Sequence, residues 1–163
     1  MGREAARRAV EADLPVLAEL RAACLSELDT KRGGQILAGQ LTATAAPDAL
    51  AEAVRDPARR LFVGTLADVA VGYALARCEA LAGGELLGVL EELFVEQAAR
   101  GVGIGEALVD AALTWLGHRG CVGVDTLALP GDRPTKNFLE DAGFRARVLV
   151  MHRPLPAAKS RPS

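Results

Sequence analysis

The sequence predicts a single mixed α/β domain, a twisted and mainly antiparallel sheet of six to seven strands with helices on both faces. Three observations carry that expectation. Residues 61–95 hold three extended, apolar stretches separated by the tight turns Ala67-Asp68 and Leu81-Ala82-Gly83-Gly84, the pattern of an antiparallel meander. A glycine-rich segment, Arg100-Gly101-Val102-Gly103-Ile104-Gly105, then opens an amphipathic helix from Glu106 to about Leu116. A buried-looking strand, residues 121–129, follows that helix. It would lie parallel to the third meander strand, with the helix crossing one sheet face between them.

Composition agrees with that class. The 163 residues suit one domain with a real core, expected over residues 1–155, with a frayed tail at 156–163. Half the residues are apolar and a quarter charged. With 19 basic and 21 acidic side chains the net charge is -2, so no broad basic field exists to attract nucleic acid or an anionic membrane. No apolar run reaches the roughly 18 residues of a membrane span. The N-terminus lacks a signal-peptide core, and Ala6 stands where a myristoylation signal needs Ser or Thr. Cys24, Cys78 and Cys121 are odd in number and form no Cys-x-x-Cys pair, which reads as reduced thiols in the cytoplasm. With only two histidines beside them, no metal site is expected.

In chain order, residues 7–10 suit a short first strand. Asp13 suits an N-cap, with Pro15 in the first turn and Leu14, Leu17, Leu20, Cys24 and Leu28 at helical spacing as far as Asp29. Residues 29–46 contain three glycines and no sustained period, so they are expected to form a long loop, either functional or a plain surface excursion. Pro47-Asp48 would start a short helix that ends before Pro57. The meander strands are expected at 61–66, 69–79 and 85–95. The helix after the glycines should end near Gly117-His118-Arg119-Gly120, with His118 as a helix-end cation rather than a catalyst. Pro130 to Pro134 turns the chain, residues 135–141 form a short helix stopped at Gly143, and residues 144–152 form a last strand.

The glycine segment lies where extended chain becomes helix, so free backbone N–H groups and the positive end of the helix dipole favour a phosphate. A Walker A loop would need Gly-Lys-Ser/Thr, and here Gly105 is followed by Glu106. A dinucleotide-binding Gly-x-Gly-x-x-Gly fails because Glu106 or Leu108 occupies the third glycine position, and because a meander precedes the segment. The remaining pattern, Arg/Gln-x-x-Gly-x-Gly/Ala, fits residues 100–105. With Glu91-Glu92-Leu93-Phe94-Val95 just before it and Gly143-Phe144 after the last helix, the chain resembles the GNAT superfamily of acyl-CoA-dependent N-acyltransferases, with element order agreeing from Arg7 to about Leu155.

That resemblance implies acetyl-CoA or coenzyme A as co-substrate, without a metal. Amides from Gly101 through Val102, Gly103 and Ile104 to Gly105 would hold its pyrophosphate, with Arg100 adding charge nearby. Strands four and five would splay so that the pantetheine arm bonds to backbone around Leu93, Phe94 and Val95, and the Leu93 amide would polarise the thioester carbonyl. Asp132 and Phe138 join the coenzyme-binding set through the last helix. The implied reaction is N-acetylation of a primary amine, in a small molecule ahead of a protein N-terminus or lysine. Glu91 falls where related diamine acetyltransferases carry a proposed base. Glu92 is the second candidate and Asp125 a third, the alternative being that both glutamates are solvated or pair with arginines. Adjacent on a strand, Glu91 and Glu92 should face opposite ways unless a bulge intervenes. The usual general-acid tyrosine is replaced by Leu139, and the only tyrosine, Tyr73, is read as a packing residue. That departure motivates a second reading, a non-catalytic acyl-CoA-binding or regulatory module. A homodimer through the last strands is also implied.

Overall fold

The fold comes from a computed structural model that describes residues 3–43 and 48–158. Its elements are β1 (Glu4–Arg8), α1 (Leu14–Asp29), α2 (Gly34–Ala43), α3 (Ala49–Arg55), β2 (Arg59–Leu66), β3 (Val69–Ala80), β4 (Leu86–Val95), α4 (Ile104–His118), β5 (Cys121–Thr126) and α5 (Arg133–Asp141). The strands lie in the order β1-β2-β3-β4-β5. All pairs are antiparallel except β4 with β5, which run parallel across the α4 connection.

Alternation along the strands sends two sets of apolar side chains to opposite faces. On one face Phe62, Ala74, Ala76 and Leu90 pack against Ile104, Leu108, Val109, Ala112 and Leu116 of α4. On the other, Leu61, Val63, Tyr73, Leu75 and Phe94 pack against Leu17, Leu20 and Cys24 of α1 and Ala53 of α3. Gly64 lets α4 press close to β2, since a Cβ there would lie 2.8 Å from Ile104 Cγ2 and 3.0 Å from Leu108 Cδ1.

The mixed α/β class holds, with four differences in detail. The sheet has five strands among the described residues, not six or seven. Residues 144–152 form no strand, and Val148, Leu149, Val150 and Met151 are exposed. A strand needs a neighbouring ladder as well as apolar alternation, and none of the described strands pairs with this segment. Residues 34–43 are helical rather than loop. Their first glycine serves a close crossing, because a Cβ on Gly34 would lie 1.7 Å from the Leu28 carbonyl oxygen. The first strand begins at Glu4 rather than Arg7, and Asp13 stands at the N-cap position of α1 as expected but makes no capping bond there, its carboxylate accepting instead from Val10 N–H and from Arg7 Nη1 and Nη2 at 2.8 Å. Pro47, placed at a helix start from the sequence, lies outside the described residues, as do residues 159–163 of the expected tail.

Gly64→Val should overpack the β2–α4 contact and destabilise the fold by about 1–3 kcal/mol, a fall in Tm of about 3–10 °C in a thermal melt. Gly83→Ala, where a Cβ meets nothing within 4 Å, should leave stability within about 0.5 kcal/mol.

Candidate active site

The site begins where the sheet opens. Pairing of β4 with β5 stops at Leu90 opposite Thr126, and the Thr126 hydroxyl closes it by donating to the Leu90 carbonyl at 3.0 Å. β4 runs on to Val95 with β3 as its only partner among the described residues. Glu96 N–H donates to Val71 O at 2.8 Å. The alternation of an antiparallel ladder then turns the backbone groups of Phe94 toward β3 and those of Leu93 and Val95 outward into the opening. Outward C=O at Val95 is engaged by Arg100 Nε at 2.8 Å.

A bulge sits at the same point. Leu75 pairs with Glu92 and the next residue, Ala76, pairs with Leu90, so Glu91 has no partner on β3. Leu90 and Leu93 pack toward α4, whereas Phe94 packs toward α1. The two glutamates between them therefore share the α1 face, which a regular strand would not allow.

Beyond β4 the chain reaches the glycine segment. Gly101 and Gly103 have φ of 82° and 98°, a region that favours glycine. Gly103 is the N-cap of α4, and the first closed helical bond is Ala107 N–H to Gly103 O at 3.0 Å. The amides before it lack intrahelical acceptors, which suits a phosphate at the helix start. A Cβ on Gly105 would lie 3.1 Å from Phe138 Cζ, so this glycine seats the α5 ring on the first turn of α4. Val102 is exposed and Ile104 buried beneath the turn. Free outward amides on β4 and a glycine-built anion site at α4 together fit a long, extended, phosphorylated co-substrate.

The carboxylates are tightly held. Glu91 accepts from Arg59 Nη2 and Arg77 Nε, each at 2.9 Å, one guanidinium per oxygen. Glu92 is buried and accepts from Arg21 Nε at 3.0 Å and from the Tyr73 hydroxyl at 2.9 Å. Burial, reinforced by the Glu92 charge, pushes the Tyr73 phenol far above its ordinary value, so it stays a hydrogen-bond donor. Tyr73 is thus part of a buried polar network as well as a packing residue. Asp125 lies on β5 opposite Val89 and pairs with Arg147 of the C-terminal segment. Leu139 is buried on α5.

A chain of charges links the elements around the opening. Arg100 Nη2 reaches Glu27 at 2.6 Å, while its guanidinium lies 5.7 Å from the Phe94 ring centroid. Lys31 bonds Asp132 at 2.8 Å and Glu27 at 3.5 Å. Asp132 caps α5 by accepting from Thr135 N–H at 3.4 Å. Sequence reasoning placed Glu91 and Glu92 beside each other and near the glycine segment. It missed Arg21, Arg59, Arg77 and Lys31. Arg59 and Arg77 stand opposite each other on β2 and β3, a pairing visible only once the strands are in register.

The model of the Acetyltransferase (GNAT) family matches residues 23–144, and the chain belongs to that family. Among solved structures, aminoglycoside acetyltransferase meta-AAC0020 from an uncultured soil metagenomic sample is 19% identical, with a TM-score of 0.71 over 94% of this chain and 97% of that one. Aminoglycoside N-acetyltransferase AAC(6')-Iy, solved in complex with CoA, is 20% identical, with a TM-score of 0.69 over 94% and 96%. The BH1408 protein from Bacillus halodurans, solved as a tetramutant, is 18% identical, with a TM-score of 0.76 over 92% and 99%. At these identities the likeness shows a shared fold. No curated protein sequence matches the chain.

The hydrogen bond from Arg100 holds the Glu27 carboxyl below its ordinary value. Burial alone would raise Asp132, but the Lys31 ammonium and the Thr135 bonds outweigh it and lower Asp132 as well. Lowered folded values contribute stability that is present above the unfolded carboxylate range and lost as pH falls through them. Lys31→Met should therefore lose about 0.2–1 kcal/mol at pH 7, with the gap to the unaltered protein narrowing below about pH 4 in urea titrations.

Proposed function

We propose that the protein is an acetyl-CoA-dependent N-acetyltransferase that moves an acetyl group to the primary amine of a small molecule, by direct attack in a ternary complex. One observation carries the reading. β4 loses its β5 neighbour at Leu90, beside a bulged glutamate and one short loop before the glycine segment. Family membership and the aminoglycoside acetyltransferases of the same fold support acetyl transfer to small amines.

The co-substrate supplies an activated thioester. Amides of residues 101–105 hold its pyrophosphate, with Arg100, Asp132 and Phe138 around that site, and the outward backbone of Leu93 and Val95, flanking Phe94, holds its extended arm. The Leu93 N–H donates to the carbonyl oxygen as negative charge develops there, a contribution of about 3 kcal/mol. Glu91 takes the proton of the attacking ammonium. Both its oxygens accept from arginines, so one of those bonds gives way first. Glu92 fixes the bulge through Arg21 and Tyr73. A thiol is a tolerable leaving group without assistance, so the absence of a tyrosine at Leu139 does not halt the reaction. The same leucine, buried, is what favours the second reading, a coenzyme-binding module without catalysis. We place the protein in the cytoplasm on its free thiols, and read the exposed run Val148–Met151 as supporting a homodimer.

Release of free thiol from acetyl-CoA across an amine panel tests the activity. Glu91→Gln should lower kcat by about 10²–10⁴-fold with coenzyme affinity in calorimetry unchanged. A bound coenzyme with no turnover on any amine would favour the non-catalytic module. Gly103→Glu places a carboxylate at the phosphate site and should abolish coenzyme binding; retention of affinity would move the site elsewhere.

A further inference from the structure

Glu91 and Glu92 are answered by Arg21, Arg59 and Arg77, and Arg77 also pairs with Glu79. Arg21, Arg59, Glu91 and Glu92 line a small pocket with Leu50 and Leu75, with about 30 Å³ open to water-sized groups. Arg21 and Leu50 also line a wider groove of about 350 Å³ between α1 and α3, otherwise mainly apolar through Leu14, Ala18 and Leu25. Asp48, at the start of α3, is the groove's acidic residue, and it is exposed.

The guanidinium of Arg59 is half used. Its Nη2 donates to Glu91 Oε2, while its Nε, like that of Arg60 on the neighbouring position, is shielded from solvent and has no acceptor among the described residues. Nε and Nη2 form one edge of the fork, spaced to grip a carboxylate with two parallel bonds. Arg21 uses that same edge on Glu92. A buried donor without an acceptor is costly and calls for a partner.

We propose that the amine acceptor carries a carboxylate that docks on the Nε/Nη2 edge of Arg59, and an apolar body that lies in the groove. The class is that of apolar amino acids, not polycationic amines. Taking Nη2 from Glu91 frees Glu91 Oε2, so the carboxylate that positions the acceptor also unmasks the group that accepts its ammonium proton. The proton moves from the ammonium nitrogen to Glu91 Oε2, leaving the nitrogen lone pair for attack. This rests on the acetyltransferase reading for its chemistry, and on Arg59 alone for its binding.

Matched acceptors test it. Thiol release from acetyl-CoA is measured with L-leucine, L-leucinamide and isoamylamine. L-Leucine should exceed both by at least 10²-fold in kcat/KM, and Arg59→Gln should bring all three within about threefold of one another, with Arg59→Lys between. Equal rates in the unaltered protein, a preference for a polyamine such as spermidine, or an Arg59→Gln loss shared equally by all three would overturn the proposal. Binding is measured separately by thermal shift with 4-methylpentanoate against its amide, in the presence of coenzyme A. The acid alone should stabilise the protein, an effect retained in Glu91→Gln and lost in Arg59→Gln. No stabilisation by the acid would sink the carboxylate subsite. Stabilisation without turnover on any amine would sink the acetyltransferase reading and leave the subsite standing.

Discussion

β4 has two neighbours along its first half and one along its second, and the site follows from that inequality. A strand without a partner on one edge exposes unpaired amides, ordinarily a liability. Here the exposure is confined to residues 91–95, shortly before the glycine turn. The Glu27–Lys31–Asp132 chain ties α1 to the start of α5, and Arg100 ties α1 to the glycine turn. These bonds join elements that the sheet does not connect, so the opening keeps its width without a fifth strand alongside.

Electrostatics inside that frame are dominated by arginine. Each glutamate of the bulge is met by at least one guanidinium, and Glu92 also by a buried phenol. A buried carboxylate so paired holds the strand geometry firmly, because removing one partner would leave an uncompensated charge. The partly buried Glu91 sits in a softer setting, between two arginines that each retain solvent access. Two adjacent residues of one type therefore have different tasks, set by what surrounds them.

Much of this was legible in the sequence. The meander, the glycine turn and the long helix were visible because period and turn chemistry are local properties. The adjacency of Glu91 and Glu92 was visible too, with the condition that a bulge would be needed for both to face one way. Other features depended on the rest of the molecule. Residues 34–43 looked like loop because glycine lowers helix propensity, yet Gly34 is required where α2 crosses Leu28. Residues 144–152 looked like strand because their alternation is real, but alternation cannot create a neighbour. Pairing of the glutamates with arginines was foreseen as an alternative, but not with which arginines, because only register brings Arg59 and Arg77 to one carboxylate.

Glu91 is also a spare residue in the counting of β4. Pairs from Gly72–Val95 to Leu75–Glu92 follow one register, and pairs from Ala76–Leu90 onward follow the next. Taking out Glu91 would merge the two into one unbroken ladder, with Leu90, Glu92, Leu93 and Phe94 each on its present face. The core has no use for this inserted residue. Position 91 is therefore released from the ladder's packing demands, while its neighbours on both sides stay bound to them.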